Sequence, residues 1–213
     1  MDRIIDEGEL ASPTGEVQIF FLVKWCNTPY DGSTWELRDV IVKLDAEKVD
    51  EFYARKVIPD SIAARQLPRP PRGAFRKLKE SPPFKHGNKL RQYQMEGLNW
   101  LLDCWFNDQA CIMADEMGLG KTVQSVTFLN EIHNTYHIRG PFLVIAPLST
   151  IPHWHREFLA WTDMNVIVYH GGAPSRNLIV DTEYYYKDTQ VLELDYDISG
   201  LRLYFCFDTD RLN

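Results

Sequence analysis

The apolar and polar positions fall into two different patterns, one on either side of a proline-rich stretch. Near the amino terminus, Gln18 to Trp25 form a compact run of aromatic and β-branched residues. Pro29-Tyr30-Asp31-Gly32-Ser33 follows as turn chemistry, and Thr34-Trp35-Glu36-Leu37 resumes a short strand. Asp45 is a good N-cap, and Val49, Phe52 and Tyr53 follow at helical spacing, which predicts a helix over Asp45–Lys56. Residues 1–58 therefore read as a small α+β module, in which Trp35 is expected to be core.

The second pattern begins at residue 88. Leu90, Tyr93, Gln94, Gly97, Leu98, Leu101, Leu102 and Trp105 lie on one face of a helix, and every member but Gln94 is apolar or Gly. A polar side chain on such a face needs a partner, so Gln94 stands out, either as a binding group or as a core glutamine satisfied by backbone. Ala110-Cys111-Ile112-Met113-Ala114 predicts a short buried strand, and Val126, Phe128, Leu129 and Ile132 a helix. Phe142–Ala146 predicts a second strand, Pro152–Trp161 a helix with Pro at its start, and Val166–Tyr169 a third strand. Alternating strands and helices point to an α/β doubly wound sheet, with a ligand at the carboxyl ends of the strands.

Composition changes this picture only where it is uneven. The 213 residues are 45% apolar and 25% charged, ordinary for a globular protein, and the net charge is −7. Yet Arg55 to Arg91 holds 11 Lys or Arg against Asp60 and Glu80, a balance of +9 that leaves −16 elsewhere, and it holds six of the twelve prolines. Residues 59–87 thus read as a basic, proline-broken connector, extended and not packed, either a solvated linker or a strap near phosphates. No apolar h-region follows Met1, and the longest apolar stretch, Phe142–Leu148, contains Pro147, so neither a secretory signal nor a membrane span is expected. Cys26, Cys104, Cys111 and Cys206 lack metal-site spacing and read as reduced thiols.

The candidate chemistry lies between the first predicted strand and its helix, in Asp115-Glu116-Met117-Gly118-Leu119-Gly120-Lys121-Thr122. Strand, glycine turn, Lys-Thr and helix are the context of a phosphate-binding P-loop. Glycines let backbone N–H groups turn inward, the helix N-terminus adds positive potential, the Lys neutralises outer phosphates, and the hydroxyl binds magnesium. The strict G-x-x-x-x-G-K-[ST] pattern fails at one place, where Asp115 stands for the first glycine. His133 with His137, and His153 with His155, are set aside as metal pairs because nothing completes a site.

The series Leu90-Arg91-Gln92-Tyr93-Gln94, Ala114 to Thr122 and Ile145-Ala146-Pro147-Leu148-Ser149-Thr150 resembles, in order and spacing, the first RecA-like lobe of the Snf2 ATPases, whose motif I carries Asp at that place. Phe21-Leu22-Val23-Lys24-Trp25 with Ser33-Thr34-Trp35-Glu36, and Asp2-Arg3-Ile4-Ile5-Asp6 as an opening strand, resemble a chromodomain. Together they resemble the chromodomain-helicase-DNA-binding remodellers, of Kismet-like type, over about residues 1–180. The fold implied is an incomplete first RecA-like P-loop lobe with a parallel sheet over 88–180, preceded by a small α+β chromodomain.

The resemblance implies an ATP-dependent chromatin-remodelling ATPase, a hydrolase in the nucleus that couples ATP hydrolysis to DNA translocation. Its cofactors would be ATP and magnesium (Mg2+), and its partners nucleosomal DNA and histones, with the histone H3 tail as a further candidate and no membrane. Gln94 would read the adenine edge, Lys121 would contact the β- and γ-phosphates, and Thr122 would hold magnesium. Asp115, Glu116, Met117, Gly118, Leu119 and Gly120 would form the loop, and Ser149 and Thr150 would face the DNA backbone. Trp25 matches one wall of a methyl-lysine cage, but the next wall falls on Thr28 and the third precedes Met1, so Trp25 reads first as a core aromatic.

Beyond about Lys187 nothing matches the motif series, and residues 181–213 read as an unmatched acidic tail. The family's acidic D-E-x-H box and its second lobe with arginine fingers do not appear. A loop without them should lose orders of magnitude in rate, one finger alone being worth roughly 10³–10⁵. The chain is expected to be truncated and inactive alone, either as the ATP-binding part of a motor or as a non-catalytic chromatin-binding or dominant-negative fragment.

Overall fold

The computed structural model describes residues 1–11, 15–57, 68–138, 140–184 and 202–206. In chain order the elements begin with β1 (Arg3–Ala11), β2 (Val17–Lys24), β3 (Thr34–Leu37), α1 (Arg38–Leu44) and α2 (Ala46–Lys56). They continue with α3 (Gln92–Phe106), α4 (Lys121–Asn134), β4 (Phe142–Val144), α5 (Ile151–Trp161), β5 (Asn165–Tyr169), α6 (Ala173–Glu183) and β6 (Arg202–Cys206). The chain divides into two units, residues 1–60 with 169–199, and residues 61–168 with 200–213.

In the first unit, β1, β2 and β3 form an antiparallel sheet in that order. Alternation along β2 sends Phe21 and Val23 to one face, where they meet Ile4, Ile41 of α1, and Val49 and Phe52 of α2 in a fully apolar core. The helix expected over Asp45–Lys56 is α2, and the Asp45 carboxylate caps it by accepting from the Lys48 N–H at 3.2 Å. Trp35 departs from expectation, being 50% exposed instead of core. It pairs with Leu22, one residue out of phase with Phe21 and Val23, so its ring lies on the other face of the sheet, over Gly8.

Helix α6, nearly 150 residues downstream, belongs to this same unit. Its buried Ser175 donates to the Asp31 carboxylate, and its buried Glu183 pairs with Arg3 at 3.0 Å and accepts from the Tyr30 hydroxyl at 3.3 Å. Burial, with the Glu183 charge adding to it, raises the Tyr30 phenol well above its ordinary range. Burial, and then the Arg3 charge, lowers Arg55 to about 10.

In the second unit, α3 and α4 pack side by side over a core of Phe84, Leu90, Met95, Leu98, Leu102 and Ile132. A second cluster joins Val126 of α4 to Phe158 of α5 and to Met164 and Val166. Strand β6 lies between β4 and β5 and pairs parallel to β4, Phe142 opposite Leu203. The rest of the acidic tail, residues 185–201 and 207–213, lies outside the described residues.

Two expectations are corrected here. Ala110–Ala114 is not a strand: it has irregular backbone, and Ile112 is 86% exposed. A strand is defined by its ladder, and no described strand pairs with this run. From residue 68 onward the basic connector is irregular backbone with a turn at Pro71–Ala74, and it is packed where it was expected not to be. Phe84 and Leu90 enter the core beside α3, with Phe75 and Leu78 against it, and Asn99 of α3 binds both backbone groups of Leu78, accepting its N–H at 2.7 Å and donating to its C=O at 3.1 Å. Arg69 pairs with Asp108 across the Trp105 ring, and Lys85 pairs with Asp163 at 3.2 Å. The connector's residues 58–67 lie outside the described residues.

Candidate functional site

The glycine segment is an irregular loop from Asp115 to Gly120 that delivers the chain into α4. Gly118 and Gly120 carry φ of +88° and +76°, backbone that side-chain-bearing residues adopt only with strain, and Gly120 is the N-cap of α4. The first i→i−4 bond of the helix runs from the Gln124 N–H to the Gly120 C=O at 3.0 Å. Ahead of it the N–H groups of Lys121, Thr122 and Val123 have no intrahelical acceptor, which leaves positive potential at the loop.

Lys121 opens α4 and turns back over the loop, its ammonium donating to the carbonyls of Asp115 at 2.6 Å and Glu116 at 2.9 Å. The side chains of Asp115 and Glu116 point to solvent, and Met117 is almost fully exposed. Thr122 is half-buried in the first turn of α4. Gln94, in the first turn of α3, accepts from the Arg91 N–H at 3.0 Å through Oε1. Its Nε2 lies against Gly120, where an added Cβ would come within 2.6 Å of it. Gln94 thus caps its own helix with one end of its amide and meets the glycine loop with the other.

Of the residues named from the sequence, Gln94, Asp115 to Gly120, Lys121 and Thr122 are brought together. Ser149 and Thr150 lie in a single 3₁₀ turn ahead of α5, where Ser149 is exposed and Thr150 closes the turn by donating its hydroxyl to the Pro147 carbonyl at 2.8 Å. Trp25, in the first unit, is half-buried against the Ile4–Phe21–Phe52 core, and its indole N–H donates to the Thr34 hydroxyl at 2.9 Å. Thr28 donates its hydroxyl to the Trp25 carbonyl at 2.9 Å and serves as turn closure.

Two buried amides that the sequence pattern does not single out also belong here. Gln124 is fully buried at the second turn of α4, and Gly97 faces it from α3. Asn99, the strap's anchor, is likewise buried on α3. Each of these buried amides needs a partner for the same reason as Gln94.

Chemically, the site offers glycine backbone in the left-handed region, a helix N-terminus, one ammonium held at the loop and one hydroxyl beside it. A polyphosphate with a divalent cation fits that donor set: Lys121 is aimed at two loop carbonyls, a position from which it can exchange them for phosphate oxygens.

Similarity to known proteins places the chain in a family. Residues 93–200 match the SNF2-related domain, and residues 1–55 match the Chromo (CHRromatin Organisation MOdifier) domain. The chain therefore belongs to the SNF2-related family and carries a chromodomain ahead of that domain, the combination found in chromodomain-helicase-DNA-binding proteins. Over 192 residues, 89% of this chain, it is 54% identical to chromodomain-helicase-DNA-binding protein 9 of Mus musculus, covering 6% of that protein. It is 50% identical to protein 8 of Xenopus tropicalis over 89% of this chain and 8% of the relative, and 50% identical to protein 7 of Gallus gallus over 89% and 6%. The chain thus spans less than a tenth of the length of the curated relatives it matches.

Proposed function

We propose that this chain carries the ATP-binding part of a DNA-dependent ATPase that remodels nucleosomes, built as the first RecA-like lobe of a Kismet-like remodeller and acting in the nucleus. The observation that carries the reading is the convergence of Lys121 and Gln94 on one glycine loop from two different helices. In this reading Gln94 meets the adenine edge, Lys121 the outer phosphates, and the N–H groups of Met117 to Lys121 the phosphate oxygens. Thr122 holds magnesium, whose charge offsets that of the polyphosphate.

The exposed cations Arg72, Arg76, Lys77, Lys79 and Lys89 favour a second role, contact with the phosphate backbone of nucleosomal DNA. The strap's apolar residues are spent on the core beneath it, which leaves these side chains turned to solvent on an immobilised segment. Ser149 and Thr150 would add backbone contacts that position without specifying. Trp25 matches one aromatic wall of a methyl-lysine cage and Thr28 is not aromatic, so histone contact is assigned to the chromodomain as a whole.

Titration calorimetry of the full chain with Mg-ADP tests the central reading. Binding by the wild type that is lost in Lys121→Ala supports it, and equal affinity for both overturns it.

A further inference from the structure

Resting on that reading of the site, we propose that Gln124 is a positioning residue of the nucleotide site, locked against Gly97 so that α3 presents Gln94 to the base at a fixed distance from the phosphate loop. The argument begins with burial. Gln124 is 0% exposed, one turn into α4, a helix that also buries Thr127, Asn130 and Glu131 beside Val126 and Ile132. Its Nε2 donates to the Leu119 carbonyl at 3.4 Å, a long bond that ties it to the glycine loop. Its Oε1 has no donor among the described residues. A buried carboxamide half satisfied in this way is retained against a cost, and an apolar residue of the same size would avoid it.

The second observation is a reciprocal fit. Oε1 of Gln124 lies where a Cβ on Gly97 would have to be, so only glycine is accommodated there without displacing the amide. One turn away the arrangement is repeated in reverse, with Gln94 of α3 seated on Gly120 at the head of α4. Each helix thus sends a glutamine onto a glycine of the other element, and the two seats are three residues apart on α3 and four apart from loop to α4. A single such seat permits the helices to rock about it. Two of them fix both the spacing and the angle.

The third is position. Gly97 and Leu119, the two residues that Gln124 holds, also line a cleft of about 530 Å³ together with Tyr93, Glu96, Trp100 and Asp115. Gln124 itself is not in that wall. It stands behind it, touching no solvent, and so acts through Gly97 and Leu119 and not on a ligand directly. A change at Gln124 should therefore alter how well the base is discriminated as well as how tightly nucleotide is held.

The test compares Mg-ADP and Mg-GDP affinities of the full chain in the wild type, Gln124→Met, Gly97→Ala, the double variant and Lys121→Ala. Met keeps the volume of Gln124 without its amide, and circular dichroism melting checks that each variant folds. Gln124→Met is expected to weaken Mg-ADP binding about three- to tenfold and to narrow the ADP-over-GDP preference by a similar factor. Gly97→Ala is expected to do the same, and the double variant to cost less than the product of the singles, because the two changes disturb one contact. Wild-type selectivity in Gln124→Met, or equal weakening of ADP and GDP, overturns the positioning role while Lys121→Ala still abolishes binding. A wild type that binds as Lys121→Ala does overturns the nucleotide site itself, and this inference with it.

Discussion

Removing the Glu183 carboxylate should unlatch α6 from the first unit. Arg3 reaches both oxygens of Glu183, through Nε at 3.0 Å and a terminal nitrogen at 3.2 Å, with side chains 12% and 6% exposed, and Tyr30 donates to the same carboxylate. In Glu183→Ala the buried Arg3 charge loses its nearest counterion, with the Asp2 and Glu51 charges still acting on it, and breaking such a pair costs up to roughly 3–5 kcal/mol. The Tyr30 hydroxyl also loses an acceptor. At 1.36 kcal/mol per factor of ten, that destabilisation speeds amide exchange in β1 and β2 by roughly 10²- to 10⁴-fold wherever exchange needs opening of the unit. Hydrogen exchange read by mass spectrometry on β1 and β2 peptides measures it locally, apart from the second unit. Arg3→Met with Glu183→Leu removes both charges at similar volume and is expected to recover most of the protection. Exchange in Glu183→Ala within a few-fold of wild type would refute the reasoning, as would a double variant no better than the single.

Three other outcomes follow from the same coordinates. Because burial raises the Tyr30 phenol, its contribution is intact below pH 10 and is lost as pH rises towards the higher folded value. Urea unfolding of wild type against Tyr30→Phe should therefore diverge above pH 10 by at most about 1.4 kcal/mol per pH unit, and parallel curves would count against it. Asn99→Ala leaves the N–H and C=O of Leu78 without partners and should cost about 1–3 kcal/mol, with strap residues 75–84 exchanging faster; unchanged exchange there would contradict the anchoring role. Replacing Lys77 and Lys79 by Ala should lower the slope of log DNA affinity against log salt by about two, and an unchanged slope would remove these side chains from the phosphate surface.

What could be read from the sequence was what local chemistry decides. Asp45 capping α2, the glycines at 118 and 120, and the apolar spacing of α3 and α4 all act within a few residues, and each element formed where expected. Gln94 could be singled out because its polarity broke an apolar stripe. Ala110–Ala114 has the composition of a strand, but a strand depends on hydrogen-bond partners from elsewhere in the chain, and composition does not say whether they are present. Val40, Val42 and Leu44 alternate like a strand and yet lie exposed on helix α1, whose Ile41 is the residue that enters the core. Trp35 was misassigned for a related reason, since an aromatic residue on a two-faced sheet is placed by phase and not by hydrophobicity.

The strap and α6 show the same limit at longer range. The strap's prolines disfavour an α-helix or a central strand, but its packing depends on Asn99, a residue 21 positions away from the backbone it holds. The attachment of α6 depends on Arg3 and Glu183, 180 positions apart, and no pattern in either local sequence announces the other. Gln124 occupies an ordinary polar position in the sequence of its helix, and the contact with Gly97 of α3 appears only in the fold.

The central claim is that the glycine loop and the head of α4 receive a polyphosphate. Amide resonances of Gly118, Gly120, Lys121 and Thr122, followed by NMR as Mg-ADP and then inorganic pyrophosphate are titrated into the full chain, test this most directly. The account predicts that these four amides shift together and saturably with both ligands, with the Gln94 side-chain amide responding to the nucleotide alone. Saturable binding that leaves the four amides unmoved would contradict it.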